Sequence, residues 1–412
     1  QYYNFLYTET QKNNITIPVV ANIPQFYDFD VRGRGIFSPM TTLMFREFTK
    51  YVPGTIFGGA YQMRQLDYEN FHDIHITTEV VKMITKEGVP SICCELQSGI
   101  LKDRPRLYPQ DVDLNLRTSC ASGLNGLNAY MFSGGKNSED DGAFGTRHEW
   151  QAALSSEGET REHFYPMKTF GKFIKTFGSK LSETKKVYDT TIGFYAPYYA
   201  TELIQGKFVD ELELHRNLFF FDGVARLLQI CGYNYNLVDI ERKSIDELKK
   251  ISHMWIFSLD YMDEKTQAKI VDYVKIGGKI ILGPVINKTF AKRFGLETDF
   301  VKENFVYVND LDYYVMGKIQ TYKGDIDEVL AVIRNGLPCA IKKRVGSGEV
   351  IVYGFGMNHF FDYMGDLVKL FSEKIGIAQK ITVSNKDVVS TLRAGDDFGF
   401  LFVFNYHMTA KD

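Results

Sequence analysis

The feature that most limits what this chain can fold into is an alternation, sustained to about Asn137, of short apolar runs with amphipathic stretches. That rhythm belongs to strand and helix units repeated around a parallel sheet. Four strands are predicted, at Ile15–Asn22, Thr55–Tyr61, Ser91–Leu96 and Gly126–Phe132. The helices before them are predicted at Tyr2–Lys12, Leu43–Tyr51, Asn70–Glu87 and Pro109–Ser122, with Gly88, Pro90 and Gly123 as stop signals. The strand ends carry polar or aromatic groups: Asn22, then Tyr61 with Gln62, Glu95 with Gln97, and Asn128 with Tyr130. In a parallel barrel that edge holds the active site. Four strand-helix units make half of an eightfold barrel.

From about Val187 the pattern changes. Strands are predicted at Val187–Pro197, Tyr235–Asp239, Met254–Leu259 and Lys279–Pro284, with helices at Phe219–Cys231, Ser244–Lys250 and Asp263–Ile276 between them. This regular interleaving indicates a flavodoxin-like three-layer α/β domain. Beyond Val345 the runs Val350–Phe355, Ile381–Val383 and Phe398–Asn405 read as more purely β, with Gly346-Ser347-Gly348 as a hairpin turn.

Composition narrows the function classes. Lys and Arg number 48 against 51 Asp and Glu in 412 residues, a formal charge of −3, which argues against nucleic acid or an anionic membrane surface as partner. The longest apolar runs fall short of the roughly 20 residues needed to span a bilayer. Five cysteines without metal-ligand spacing make a disulfide framework or a zinc site improbable, and a reducing, cytoplasmic compartment fits best. The opening Gln1-Tyr2-Tyr3-Asn4-Phe5-Leu6 has neither an initiator Met nor a signal peptide and reads as a chain entered midway.

Glu95 stands out because it ends a strand whose preceding residues, Ile92-Cys93-Cys94, are apolar. A carboxylate there is costly unless a partner or a function retains it. The structural alternative is a buried ion pair with Arg104 or Arg106. The segments Cys94-Glu95-Leu96-Gln97-Ser98-Gly99, Arg104-Pro105 and Gly126-Leu127-Asn128-Ala129-Tyr130-Met131-Phe132-Ser133-Gly134-Gly135-Lys136-Asn137 together resemble glycoside hydrolase families 35 and 42, the β-galactosidases.

The resemblance implies an α/β fold with three parts: residues 1–180 as the C-terminal half of a (β/α)8 TIM barrel, 187–376 as a family 42 type flavodoxin-like domain often used in oligomerisation, and 377–412 as the start of a C-terminal β domain. It implies a retaining enzyme that hydrolyses terminal β-D-galactosides by double displacement, with Glu95 as nucleophile and neither metal nor organic cofactor. Tyr61 would hold the Glu95 carboxylate, and Asn22, Gln97, Asn128 and Tyr130 would face the sugar. Phe26, Tyr27, Phe132 or Trp150 would offer stacking surfaces, although a packing role for Trp150 is the simpler reading. The partners implied are a β-galactoside or oligosaccharide and further copies of the chain.

Retaining hydrolysis needs a second carboxyl about 5 to 5.5 Å from the first. In these families an Asn-Glu pair ending the fourth barrel strand supplies it. Tyr2–Pro18 matches the helix and strand after that point, so the acid/base is expected upstream of Gln1; Glu9 lies on a helix and is a poor substitute. Three readings follow: a fragment of a longer enzyme, one subunit of a split enzyme, or a non-catalytic carbohydrate-binding or assembly relative. Because half a barrel leaves strand edges open, a complementing segment or chain is expected in the first two cases.

Other features read as bland. His72 and His75 are three apart without a third metal ligand and are placed on helix surface. Lys185-Lys186 and Lys342-Lys343-Arg344 read as solvated runs, and Asp263-Glu264 as a helix start. Ala196-Pro197-Tyr198-Tyr199 is too bulky for a flavin phosphate loop, and Phe257-Ser258-Leu259-Asp260-Tyr261 lacks an amidotransferase cysteine.

Overall fold

The computed structural model describes residues 1–22, 52, 55–61, 65–85, 88–99, 106–139, 141, 145–201, 205–361, 363–385 and 387–407; within 55–61 only the side chains of Ile56 and Gly58 are included. The predicted helix Leu43–Tyr51, together with Phe26, Tyr27, Gln62 and Arg104, lies outside these residues. The chain divides into two compact units, the first comprising Gln1–Val187, Tyr199–Leu203 and Ser390–Asp412, the second Tyr188–Tyr198 and Ile204–Val389.

The first unit is built on a wholly parallel sheet of β1 (Val19–Asn22), β2 (Thr55–Tyr61), β3 (Ile92–Gln97) and β4 (Gly126–Tyr130), in that order. Its described helices are α1 (Tyr2–Lys12), α2 (Phe71–Ile84), α3 (Pro109–Ser122) and α4 (Phe164–Ser182). Helix α3 shows why its ends were legible: Pro109 occupies the first turn, the Tyr108 N–H donates to Asp111 Oδ2 at 3.0 Å, and Gly123 closes the helix at φ 109°. The core gathers Val81, Cys93, Leu96, Leu116, Cys120 and Phe170. Strand β4 ends at Tyr130, two residues before the predicted limit, and is followed by the short antiparallel pair β5 (Gly135–Lys136) and β6 (Arg147–His148).

The C-terminal residues contribute β19 (Val388–Ala394) and β20 (Gly399–Asn405) to a three-stranded sheet with β7 (Lys185–Lys186). Phe400 and Phe402 pack on the core of the first unit, and the Tyr406 ring stacks on Phe71 with centroids 4.4 Å apart. That cover corrects two expectations. His72 and His75 lie in the interior, both fully buried, because α2 is enclosed around its circumference from Phe71 to Val81. Lys186 is equally interior and pairs with Glu79 at 3.1 Å.

The second unit carries a nine-stranded sheet in the order β14-β13-β16-β17-β18-β11-β10-β8-β9. Its members are β8 (Thr190–Phe194), β9 (Tyr235–Asp239), β10 (His253–Ser258), β11 (Lys279–Pro284), β13 (Phe305–Val308), β14 (Leu311–Tyr314), β16 (Glu328–Val332), β17 (Pro338–Val345) and β18 (Gly348–Tyr353). A separate antiparallel pair joins β12 (Leu296–Val301) to β15 (Ile319–Gly324). Strands β9, β8, β10, β11 and β18 run parallel, and the rest extend the sheet antiparallel. The predicted turn at Gly346-Ser347 joins β17 to β18, with Val345 opposite Gly348. The predicted helix at Phe219–Cys231 is broader and irregular: α-helix at Lys207–His215, π-helix over Arg216–Ala225, then α-helix at Arg226–Ile230. At Gly223 the backbone leaves helical geometry, and a Cβ there would stand 2.6 Å from the Met357 carbonyl oxygen. The predicted α/β class, parallel barrel strands followed by a larger sheet domain, is what is observed.

Candidate active site

The irregularity of β3 decides how Glu95 is presented. Against β2, Gly59 pairs with Cys93 and Ala60 with Glu95, so Cys94 is an extra residue. Against β4, Cys93 pairs with Leu127 and Leu96 with Ala129, so the disturbance spans Cys94 and Glu95 on both sides. Such bulges bend a strand locally and re-aim a side chain. The Cys94 carbonyl, out of the regular ladder, accepts a hydrogen bond from Asn128 Nδ2 at 3.1 Å. Gly58 makes room for the displaced residue, since a Cβ there would meet Cys94 Sγ at 2.4 Å.

Glu95 is half-buried and accepts a hydrogen bond of 2.5 Å from Asn22 Nδ2 at the end of β1. Thus strand ends distant in sequence converge at one carboxylate. Arg106, one of the cations named for a structural ion pair, bonds instead to Glu162 at 2.5 Å. The charge of Glu95 reaches its neighbours. Burial and then the Glu95 charge raise the Tyr130 hydroxyl above its ordinary pKa, and the same two causes push the Cys94 thiol up to about 11.

The other predicted residues are distributed around this point. Tyr130 ends β4, and its backbone carbonyl accepts from the Ser98 N–H at 3.0 Å. Gln97 is buried; its carbonyl accepts from Asn115 Nδ2 at 3.2 Å, and its Oε1 has no hydrogen-bond partner among the described residues. Tyr61 ends β2, and its side chain lies outside the described residues. Asn128 is exposed with its amide committed to the backbone as above. Trp150 returns on the loop after β6 to meet Tyr130 edge to face, with ring centroids 5.4 Å apart. Phe132 is exposed and lies 6.3 Å, ring to ring, from Phe164.

The support beneath Trp150 was absent from the sequence reading. Trp150 and the next residue, Gln151, both have left-handed backbones, at φ 43° and 52°. Such geometry in bulky residues is held only by surrounding contacts. His163 provides some of them: its Nδ1 faces the carbonyl oxygens of Gln151 at 2.7 Å and Ser98 at 3.2 Å, and its Nε2 faces that of Leu107 at 3.0 Å. Glu149 provides others through Arg147 at 2.8 Å, Ser156 at 2.8 Å and Arg161, and these bonds, Arg147's first, hold its carboxyl down at about 2. Gly99 completes the fit, as a Cβ there would stand 2.0 Å from the Trp150 carbonyl oxygen. Gly99 was visible only as part of a motif; its reason is this close approach.

Among the described residues no group of three or more His, Cys, Asp or Glu could hold a metal ion, and no helix is long and apolar enough to cross a membrane. In the second unit the ends of the parallel strands are filled by tyrosines. The Tyr198 hydroxyl donates to the Tyr261 carbonyl at 2.6 Å and accepts from the Leu259 N–H at 3.0 Å, while the Tyr195 hydroxyl donates to Asp263 Oδ2 at 3.0 Å.

Comparison with known proteins adds three kinds of likeness. A family model described as GLMA-like, second domain, matches residues 204–289. A beta-1,2-glucosyltransferase of Ignavibacterium album is 26% identical over 437 aligned positions, covering 100% of this chain and 60% of the relative. An exo-beta-D-glucosaminidase of Pyrococcus horikoshii is 26% identical, covering 75% of this chain and 42% of the relative. Among solved structures, a β-galactosidase from Rahnella sp. R3 superposes with a TM-score of 0.72 at 12% identity, over 98% of this chain and 61% of its own. The GH42 β-galactosidase Gan42B superposes with a TM-score of 0.71 at 14% identity, over 98% and 62%. These structures share the fold of this chain, a partial TIM barrel with a sheet domain. The chain spans 60% or less of the length of the two curated relatives.

Proposed function

We propose that the full-length protein is a retaining enzyme acting on terminal β-linked hexopyranosides, with Glu95 as the nucleophile. The observation that carries this reading is the convergence of Asn22 on Glu95 at a bulged strand end, with Tyr130 and Trp150 alongside. A hydrogen bond from a neutral amide orients a carboxylate, and attack on an anomeric carbon requires an oriented carboxylate. Tyr61 would add a second hydrogen bond to it, and Asn128 and Gln97 would supply donors and acceptors to the sugar.

The acid/base carboxyl would come from a segment outside this chain, as the greater length of the curated relatives allows. The same segment, or a partner chain, would cover apolar surface that the first unit leaves open. Tyr2 and Phe5 on α1 are 68% and 59% exposed, and beside β4 an apolar cavity is lined by Leu124, Leu127, Met167, Phe170 and Ile174.

The motif resemblance points to β-galactosides. A second reading, a gluco-configured sugar as in a β-glucoside or β-glucosaminide, is favoured by the activities for which the relatives that match this sequence over most of its length are named. The test is turnover of nitrophenyl β-galactoside, β-glucoside and β-glucosaminide by the full-length protein with Glu95→Gln as control. The variant should lose turnover of whichever glycoside is cut. Undiminished turnover in the variant removes Glu95 from the mechanism, and a strong preference for one glycoside decides between the two sugars.

A further inference from the structure

His163 stands just before α4, only 2% exposed, and both of its ring nitrogens face backbone carbonyl oxygens. Nδ1 faces those of Gln151 at 2.7 Å and Ser98 at 3.2 Å, and Nε2 faces that of Leu107 at 3.0 Å. A carbonyl oxygen only accepts, while a neutral imidazole carries one N–H and one lone pair. Only the imidazolium, with a hydrogen on each nitrogen, donates in both directions. We infer that His163 is a proton-operated positioning residue: its doubly protonated ring holds Trp150 against Tyr130 beside Glu95, and loss of one proton releases the indole. The catalytic consequence rests on the function proposed above; the clamp rests on the geometry of these bonds alone.

Each of these carbonyls belongs to a segment that bears on the candidate site. Ser98 lies three residues after Glu95; its N–H bonds the Tyr130 carbonyl at 3.0 Å and its hydroxyl the Met131 carbonyl at 3.0 Å. Gln151 follows Trp150 in the left-handed pair, and its side-chain Oε1 accepts from the Leu107 N–H at 3.0 Å. Gln151, Leu107 and His163 therefore close a triangle of hydrogen bonds. Removing the Nε2 proton opens it at Leu107; removing the Nδ1 proton opens it at Gln151 and frees Ser98 as well. Either way the turn loses a tie, and left-handed backbone in two bulky residues persists only while its surroundings hold it. Trp150 then leaves its edge-to-face contact with Tyr130.

The charged groups around the clamp are Arg106, Glu149, Arg161 and Glu162, which line one pocket with His163 and Trp150. They are joined as Arg106 with Glu162 and Arg161 with Glu149, and Glu149 also bonds Arg147. Tyr130 faces Trp150 across the edge-to-face contact, and the His148 ring stacks on Trp150 with centroids 6.0 Å apart. Carboxylates and guanidinium groups keep their charges across the neutral range, whereas imidazoles exchange theirs there. His148 and His163 are therefore the groups that a change of pH addresses, and separate variants tell them apart. Burial and the positive end of α4 both oppose a cation at His163, so the three carbonyl oxygens are what hold its second proton.

The experiment is fluorine NMR of the full-length protein carrying fluorinated tryptophan, with the Trp150 resonance assigned by its loss in Trp150→Phe. The expected result is a resonance that moves from one position to a second as pH rises from about 5.5 to about 9. His163→Gln, whose amide donates on one side only, should hold it at the second position throughout, and His148→Gln should leave the movement in place. At about pH 6, His163→Gln should raise KM for the nitrophenyl glycoside that is cut by about fivefold, with kcat changed less than about twofold. At about pH 9 the variant and the unmodified protein should share one KM. A Trp150 resonance that ignores pH, one that still moves in His163→Gln, one whose movement is lost in His148→Gln, or an unchanged KM at about pH 6 overturns the inference. If His163→Gln does not fold, movement in both the unmodified protein and His148→Gln supports the inference, and its absence from either overturns it. Retained turnover by Glu95→Gln removes the nucleophile assignment instead, and the fluorine resonance still judges the clamp.

Discussion

Two glutamates of the first unit, sixteen positions apart in the chain, have opposite surroundings. Glu79, on the enclosed helix α2, has a side chain only 5% exposed and bonds Lys186 at 3.1 Å and Lys82 at 3.2 Å. Burial by itself would raise its pKa, but the two ammonium groups hold the carboxyl below its ordinary value. Glu95, at the bulged end of β3, is half-buried and receives a neutral amide. An ammonium partner in a low-dielectric interior fixes a carboxylate as a tie between elements, here α2 and β7. An amide partner fixes a carboxylate's direction through a hydrogen bond. The difference teaches that burial alone does not mark a functional carboxylate.

The largest effect that could break this comparison is on activity. Glu95→Gln is expected to lower turnover of the full-length protein by on the order of 10³-fold or more, with the thermal midpoint little changed. Lys186→Met should do the reverse, leaving the chemistry's geometry alone while destabilising by about 3 kcal/mol in urea unfolding, because Glu79 keeps only Lys82. The double variant Glu79→Leu, Lys186→Met should regain most of that loss; if it does not, the pair is more than a structural tie. Asn22→Ala should reduce kcat by about 10- to 100-fold, read from steady-state kinetics, with stability within about 0.5 kcal/mol.

A pH titration separates the two regions again. His75 is fully buried, bonded to Ser122 at 2.8 Å, and burial, followed by the nearby Lys186, His72 and Lys82, drives its pKa well below 6.5. Between that lowered value and 6.5 the unfolded chain binds the proton that the folded one refuses, so stability is full above pH 6.5 and falls as pH drops below it. Glu79 acts in the same direction below its ordinary 4.5, since its stabilising charge is lost as pH falls towards its lowered folded value. Unfolding midpoints measured from pH 8 to 4 should therefore fall continuously on acidification, and His75→Gln should flatten the part just below 6.5. The smallest effect expected is for Arg117→Ala, which breaks a half-exposed pair with Asp113 at 2.8 Å and should change stability by no more than about 0.5 kcal/mol.

Much of the barrel portion was legible because its signals are local. Apolar runs announce strands, and Pro109 and Gly123 mark α3 to the residue. Glu95 was legible because a carboxylate after Ile92-Cys93-Cys94 contradicts its neighbours. What was not legible depends on residues far apart in the chain. His72, His75 and Lys186 look like surface residues until Tyr406 and the C-terminal strands cover α2 and β7. The bulge at Cys94-Glu95 depends on the registers of β2 and β4 together. The π-helix at Arg216–Ala225 depends on how closely the backbone at Met357 approaches Gly223.

By itself, then, the sequence determined the α/β class, the parallel strands and the carboxylate at the end of the third, because periodicity and strand-end chemistry act over a few residues. Only the tertiary structure decided that Asn22 would reach Glu95 across the one intervening strand, that Glu79 would be committed to Lys186 and Lys82, and that Trp150 would return over Tyr130. The reason is physical. A side chain's charge state, direction and availability are set by neighbours in space, and at these three places the neighbours are brought together by sheet register, helix burial and a loop held in left-handed backbone geometry.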